Sequence, residues 1–283
     1  MRVSKFTDEY RLAAPLYGLS EDALRARDLE QPEESGRWLA FDGSAAVGAA
    51  TTFFRPDDRL FLRVVGDDPA VYLLLIEEAA AALRRAVHVT VDADRLEIVG
   101  VLRDAGLEEE YRGREFRIRF ERALVRLRRA SLPTGYAIHS ADGVDADELF
   151  DLDCRLRSIT PGTDGWRGNR TWFDDELSES PPFDPSGYLV ATGPTGAMAG
   201  LVRVWRNPNE PSLGLIGVIP EHRHTTIAGE LLRRALSAAS RWGSDTFTAA
   251  TSLTNRVIYS KMERLSAEPL RGTIRFVHRP PAA

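Results

Sequence analysis

Leu213-Gly214-Leu215-Ile216-Gly217-Val218-Ile219-Pro220-Glu221-His222-Arg223-His224-Thr225-Thr226-Ile227-Ala228-Gly229-Glu230-Leu231-Leu232 is the stretch that decides how this chain reads. Its first residues form an apolar run of strand length. Pro220 cannot donate to a sheet ladder and ends the strand. A polar loop with two hydroxyls, Thr225 and Thr226, follows. From Ile227 onward, Ile227, Leu231, Leu232, Ala235 and Leu236 recur at helical spacing and form one apolar stripe. The helix opens on small residues, which lets a ligand approach its first amides closely. Unsatisfied N–H groups and the positive end of the helix dipole make such a start an anion site suited to a phosphate.

The surroundings extend this strand–loop–helix into an α/β unit. Before it lie a strand at Tyr136–His139, a helix within Asp142–Ile159 and a long irregular stretch, Thr160–Ser186, carrying Trp166, Trp172 and Phe173. A loop of that length in a compact domain is usually functional. A hairpin turns at Gly193-Pro194-Thr195-Gly196. After the helix come a strand at Thr246–Thr251, a helix at Asn255–Leu265 and a final strand at Gly272–His278. The first 120 residues repeat the order. A polar helical start precedes a hairpin at Asp42-Gly43-Ser44, a strong turn signal. The strand Leu60–Val65, a helix at Ala70–Ala86, the strand Val87–Val91, a short helix ending at Gly106 and the strand Tyr111–Phe120 complete it. The fold class is therefore α/β with a mixed sheet, in two tandem units. The expected division is 1–120, a linker at 121–135, and 136–283.

Composition narrows the function. The 283 residues are 43% hydrophobic and 28% charged, as in globular proteins, with a net charge of −5 that argues against nucleic-acid binding by bulk electrostatics. Positive charge is almost all arginine, since Lys5 and Lys261 are the only lysines; Arg117, Arg119, Arg122, Arg126, Arg128 and Arg129 read as a solvated face. No apolar run approaches the ~20 residues that span a bilayer, and the N-terminus has no apolar signal core. Cys154 is the single cysteine, which excludes an intramolecular disulfide and a thiolate metal cluster. A cytoplasmic protein without metal or membrane is expected.

Strand, Val218-x-Pro220-x-x-Arg223, short loop and helix resemble the acyl-CoA-binding motif of the GNAT N-acetyltransferases. Arg223, Ile227 and Ala228 fall in register with that motif, and Thr226 stands where the family prefers glycine. Asn255, at the start of the helix after the fifth strand, is similar to a family asparagine that contacts the cofactor arm. Leu265-Ser266-Ala267-Glu268-Pro269 falls where the family has Leu-Gly-Phe-Glu-Pro. The resemblance covers most of 136–278 and, less closely, 1–120. In the first copy Gly66-Asp67-Asp68-Pro69 replaces the cofactor loop; two aspartates would repel a pyrophosphate and are good helix N-cap residues. That copy reads as degenerate.

The resemblance implies acetyl-CoA, or another acyl-CoA, as co-substrate, held by Val218, Ile219, Arg223, His224, Thr225, Thr226, Ile227, Ala228 and Asn255. Val218 and Ile219 would supply amides to the thioester carbonyl. The acceptor would be a small amine or a peptide N-terminus, reached near Thr160–Ser186, and the protein a monomer or homodimer. For proton transfer the candidates are Tyr259 and Glu210. The family tyrosine seven residues after the asparagine corresponds to Met262, and Tyr259 matches only in a register one turn shorter. Asp151, Asp153, Asp164, Asp174 and Asp175 form an acidic group suited to a cationic amine. His222 and His224 read as polar groups on the phosphate side, and Cys154 as packing. The alternative is a non-catalytic CoA-binding sensor or scaffold.

Overall fold

A computed structural model describes residues 1–29, 36–55, 57–163, 166, 168–178 and 183–280. In order, the elements are β1 (Arg2–Lys5), α1 (Tyr10–Ala13), α2 (Glu21–Leu29), β2 (Arg37–Asp42), β3 (Ala45–Phe54), β4 (Leu60–Val65), α3 (Pro69–Leu83), β5 (Val87–Asp92), α4 (Leu96–Asp104) and β6 (Glu108–Arg119). There follow α5 (Phe120–Leu127), β7 (Ala137–Ser140), α6 (Ala146–Ser158), α7 (Arg170–Ser178), β8 (Tyr188–Thr192), β9 (Met198–Trp205), β10 (Ser212–Val218), α8 (Ile227–Ala239), β11 (Thr246–Ser252), α9 (Arg256–Arg264) and β12 (Glu268–His278). No helix among the described residues is long and apolar enough to cross a membrane, and no three or more His, Cys, Asp or Glu side chains there are grouped so as to hold a metal ion.

Two compact units result. The first comprises Met1–Arg112 and Gly272–Ala283, the second Gly113–Arg271. In the first, strands follow the order β1-β2-β3-β4-β5-β12, all antiparallel except β4 with β5. One face packs on α3 and α4, through Val71, Leu75, Ile76, Ile98 and Leu102; the other packs on α1 and α2, through Ala13 and Leu24. In the second the order is β6-β11-β10-β9-β8-β7, parallel only between β10 and β11. There α8, α9 and α5 cover one face, with Ile227, Leu231, Met262 and Phe120, while α6 and α7 cover the other with Leu149, Leu156 and Phe173. Both units are mixed, mostly antiparallel sheets with helices on both faces.

The boundaries differ from those expected in two ways. Gly113–Arg119 of β6 pair with β11 of the second unit, and Thr273–His278 of β12 pair with β5 of the first. Each copy's closing strand is exchanged, because alternation marks a strand without naming its neighbour. Residues 121–135 are not a plain linker. Phe120, Ala123, Leu124 and Leu127 line one side of α5 and join the α8 core, while Arg122 and Arg126 face outward. The stretch expected to be irregular holds α7, whose Phe173 is buried; Asp164 lies outside the described residues.

Candidate functional site

The second unit's site is a fork in its own sheet. Among the described residues β10 pairs with β11 only at Ser212–Thr248 and Leu213–Ala249. A bulge then interrupts the β9–β10 register between Leu213 and Leu215, at Gly214. Such an extra residue reverses which backbone groups face which neighbour. The Ile219 amide donates to the Ala199 carbonyl on the β9 side at 2.9 Å. Strand amides alternate sides, so those of Ile216 and Val218 face the open side toward β11. The Val218 carbonyl, on that open side, accepts a bond from Arg223 Nε at 3.2 Å. A row of free strand amides therefore runs from the apex of the fork at Leu213 to its mouth at Val218.

The loop at the mouth leaves its donors available. Thr225 N bonds the His222 carbonyl at 3.0 Å, and Thr225 Oγ1 returns to the same carbonyl at 2.7 Å. Thr226 starts α8 without a side-chain cap, and its hydroxyl donates instead to the Ser131 carbonyl at 2.7 Å. The amides of Thr226, Ala228 and Gly229 have no hydrogen-bond partner among the described residues. Thr226 has φ −90° and ψ 4°, a negative φ that does not call for glycine. Tyr136 Oη lies 2.6 Å from His222 Nδ1, and Arg155 bonds Glu221 at 2.6 Å, so two long-range contacts brace the loop. His224 is exposed on the same turn.

The first unit has the same fork and a different loop. β4 pairs with β5 only at Phe61–His88 and Leu62–Val89, and no bulge interrupts β4. Pro69 has no N–H, and the Asp68 carboxylate accepts from Ala70 N at 2.8 Å and Val71 N at 3.3 Å. Arg95 ties down the Gly66 carbonyl and the Asp67 carboxylate at 2.6 and 3.0 Å. The first-turn donors are all used by the chain itself.

Across the described residues of the whole chain, solved structures supply the comparison. A GCN5-related N-acetyltransferase from Sphaerobacter thermophilus matches with TM-score 0.68 at 16% identity, over 99% of this chain and 96% of that one. A tandem GNAT protein from the clavulanic acid biosynthesis pathway matches with TM-score 0.64 at 14% identity, over 100% of this chain and 99% of that one. The fold is a tandem GNAT fold. A GCN5-related N-acetyltransferase from Kribbella flavida also matches, with TM-score 0.57 at 14% identity, over 96% of each chain. No family model matches the chain, and no curated protein matches its sequence significantly.

The remaining candidate residues separate into two groups on this GNAT frame. Val218 and Ile219 end β10, Arg223 to Thr226 form the loop, and Ile227 and Ala228 open α8, with Ile227 buried in the core. Asn255 caps α9, its side chain accepting from Ile258 N at 3.3 Å. Tyr259 stands on that helix with its ring edge-on to Phe116 at 5.4 Å. Phe116 pairs with Ala249, so this ring lies level with the apex of the fork. Met262 is buried among apolar side chains.

Glu210 is employed otherwise. Both its oxygens accept from Arg117 Nε at 3.1 Å, and Thr246 Oγ1 donates to it as well. It lies before β10, on the closed side of the ladder, where Thr248 N bonds the Pro211 carbonyl at 2.8 Å. Its carboxylate clamps the end of β6 to the starts of β10 and β11, and its bond holds Arg117 above the ordinary arginine range. Asp153 is buried in a pair with Arg157, and Asp174 pairs with Arg170. Asp151 lines an open hollow of about 610 Å³ with Glu148 and Arg155. Gly214 was legible only as a glycine inside a strand, a known sign of a bulge; Tyr136 and Ser131, which brace the loop, carried no sequence signal.

An acyl-CoA fits this donor set. The free first-turn amides and Arg223 suit a diphosphate, and the amides of Ile216 and Val218 suit an amide-bearing arm extended along the strand edge. The loop of the first unit does not fit, because Asp68 already holds those positions.

Proposed function

We propose that the protein is an acyl-CoA-dependent N-acyltransferase, using acetyl-CoA, whose second unit holds the co-substrate and whose first unit is structural. The observation that carries this is the uncapped start of α8 at the mouth of a bulged fork, whereas the equivalent helix start of the first unit is capped by its own aspartate. Arg223 and the amides of Thr226, Ala228 and Gly229 hold the diphosphate; Ile216 and Val218 align the arm. The thioester supplies an activated acyl carbon. An amine nitrogen bonds to that carbon as the C–S bond breaks, and the proton lost by the nitrogen returns to the thiolate. Tyr259, at the level of the apex, is the group proposed to pass that proton to sulfur. Glu210 is not proposed as the base, since Arg117 and Thr246 hold it. Location in the cytoplasm, as a monomer or homodimer acting on a small amine or peptide N-terminus, belongs to the same reading.

The second reading, a CoA-binding sensor without turnover, is favoured by one observation: apolar Met262 at the position of the family tyrosine. Calorimetric titration with acetyl-CoA, followed by thiol release assayed across a panel of amines, separates the two. Binding with thiol release supports the enzyme; binding without release supports the sensor. Absence of binding at millimolar ligand removes both.

A further inference from the structure

The α6/α7 face of the second unit holds polar side chains that packing alone does not call for. Tyr188 of β8 lies opposite Arg203 of β9, and Arg203 opposite Leu215 of β10. Directly paired residues share a face, so the three form one row across the sheet. The row ends at the bulge, where Arg203 Nε lies 3.6 Å from the position a Cβ on Gly214 would take. The Arg203 guanidinium stands over the Trp205 ring at 4.5 Å and bonds Glu176 of α7 at 2.8 Å. From α6, Arg157 bonds Asp153 at 2.5 Å and lies over the Trp166 ring at 4.3 Å. Two arginines and two carboxylates thus cancel.

What the cluster lacks is hydrogen-bond partners. Asp153 Oδ1, Tyr188 Oη, Arg203 Nε and Trp166 Nε1 are buried with none among the described residues, and these are four of the six such atoms found there. Asp153, Tyr188 and Arg203 are only 3%, 0% and 4% exposed. Buried polar groups are nearly always paired, and a concentration of exceptions in one patch calls for a missing partner. The unpaired set is mixed. Arg203 Nε and Trp166 Nε1 only donate, ionised Asp153 Oδ1 only accepts, and Tyr188 Oη does either. Burial also pushes the Tyr188 hydroxyl pKa upward, which keeps it protonated.

We propose that this patch is the acceptor site and that the acceptor is a free amino acid. Its carboxylate meets Arg203 and Trp166, and its amine meets Asp153. Arg203, beside the bulge at Gly214, sets the bound amino acid next to the apex of the fork, where the acyl carbon of the proposed reaction arrives. A ligand with no net charge enters a neutral cluster without leaving a buried charge uncompensated. An amine lacking a carboxylate leaves two buried donors unpaired, and a peptide N-terminus brings no carboxylate there. The role as acceptor site rests on the acyltransferase reading; the binding of an amino acid does not.

The test is calorimetry on the full chain, with and without CoA, using each proteinogenic L-amino acid and, for every binder, the matching decarboxylated amine and the amino-acid amide. At least one amino acid is expected to bind, with its amine and amide at least about tenfold weaker. Arg203→Met should weaken it by about tenfold or more and Trp166→Phe, which keeps the ring on Arg157, by a few fold, both with CoA affinity within about twofold. The proposal is overturned if no amino acid binds at about 10 mM, if the amines or amides bind as tightly, or if Trp166→Phe and Arg203→Met both bind like the parent. A crystal soaked with amino acid that shows ordered water alone on these four atoms overturns it as well. Amino-acid binding in a protein that does not bind CoA would sink the acyltransferase reading and leave this site standing; CoA binding without amino-acid binding would do the reverse.

Discussion

Charge reversal at Arg223 tests the phosphate loop most directly. Its Nε is held on the Val218 carbonyl at 3.2 Å, which fixes the exposed guanidinium at the open mouth of the fork. Two unit charges about 4 Å apart attract by about 1 kcal/mol in bulk water and about 4 kcal/mol at an effective dielectric near 20. Exposure and the entropy of an arginine place the value near the lower figure. Arg223→Ala should then cost about 1–1.5 kcal/mol, roughly a tenfold loss of CoA affinity. Arg223→Glu replaces attraction with repulsion of similar size and should cost about 3 kcal/mol, on the order of a hundredfold.

Two controls make the estimate specific. Raising ionic strength from 0.15 M to 1 M shortens the screening length from about 8 Å to about 3 Å, so the ratio of parent to Arg223→Glu affinity should shrink several-fold. Pantetheine, which has no diphosphate, should bind parent and variant alike. Calorimetric titration of parent and variant with CoA and pantetheine at both salt concentrations gives the four affinity ratios. Parent-like CoA affinity in Arg223→Glu, or an equal loss for pantetheine, would refute the placement of a diphosphate at this loop.

Tyr259→Phe keeps the ring edge on Phe116 and removes the hydroxyl; turnover should fall by about 10²-fold or more, the size of a general-acid contribution, with CoA affinity within about twofold, and a parent-like rate would remove Tyr259 from the reaction. Thr226→Gly restores the residue the family prefers, yet Thr226 already has a negative φ; CoA affinity should stay within about threefold, and a tenfold gain measured by calorimetry would contradict the relaxed loop. Buried Glu230 is bonded to Arg233 and Arg234, and these bonds hold its carboxyl below the ordinary carboxylate range. A depressed acid contributes stability that is present above its unfolded value near pH 4.3 and lost as pH falls through the lower folded value. Glu230→Gln should therefore lower the melting temperature at pH 7 and flatten its decline below about pH 4.5; an unchanged acid limb would show that Glu230 does not set it.

Much of the architecture was legible because its signals are local. Pro220 after Val218, the Asp-Gly turn at 42–43 and the helical stripe from Ile227 each act within a few residues, and each element stands where its signal placed it. Asp68 is a clear case: an aspartate before Pro69 reads as a cap, and its carboxylate takes two amides. What escaped depends on partners distant in sequence. The arginines of 122–129 disguised α5, whose apolar positions matter only against α8. The exchange of β6 and β12 is invisible to alternation. Glu210 looked like a carboxylate at the mouth of a strand until Arg117 and Thr246 claimed it. The bulge at Gly214 shows in the sequence only as a glycine, and its effect, turning the amides of Ile216 and Val218 toward β11, follows from register.

The two copies show why a fork in the sheet is not by itself a ligand site. Both have one, since a parallel pair joined at two residue pairs diverges with strand twist. The difference lies in how each helix start is satisfied. In the first unit the chain spends its own carboxylate there, and an N-cap of that kind is worth about 1 kcal/mol of stability. In the second Thr226 gives no side-chain cap and turns its hydroxyl to Ser131, and among the described residues the amides of Thr226, Ala228 and Gly229 stay open. A helix start left uncapped is a cost in the free protein that a bound anion can recover, since whatever binds only the folded state adds stability in proportion to the logarithm of its concentration over its dissociation constant. Selection for stability alone would favour the arrangement at Asp68. An open start beside a bulged strand, with Arg223 held at Val218, is the feature on which the proposed function of the second copy rests.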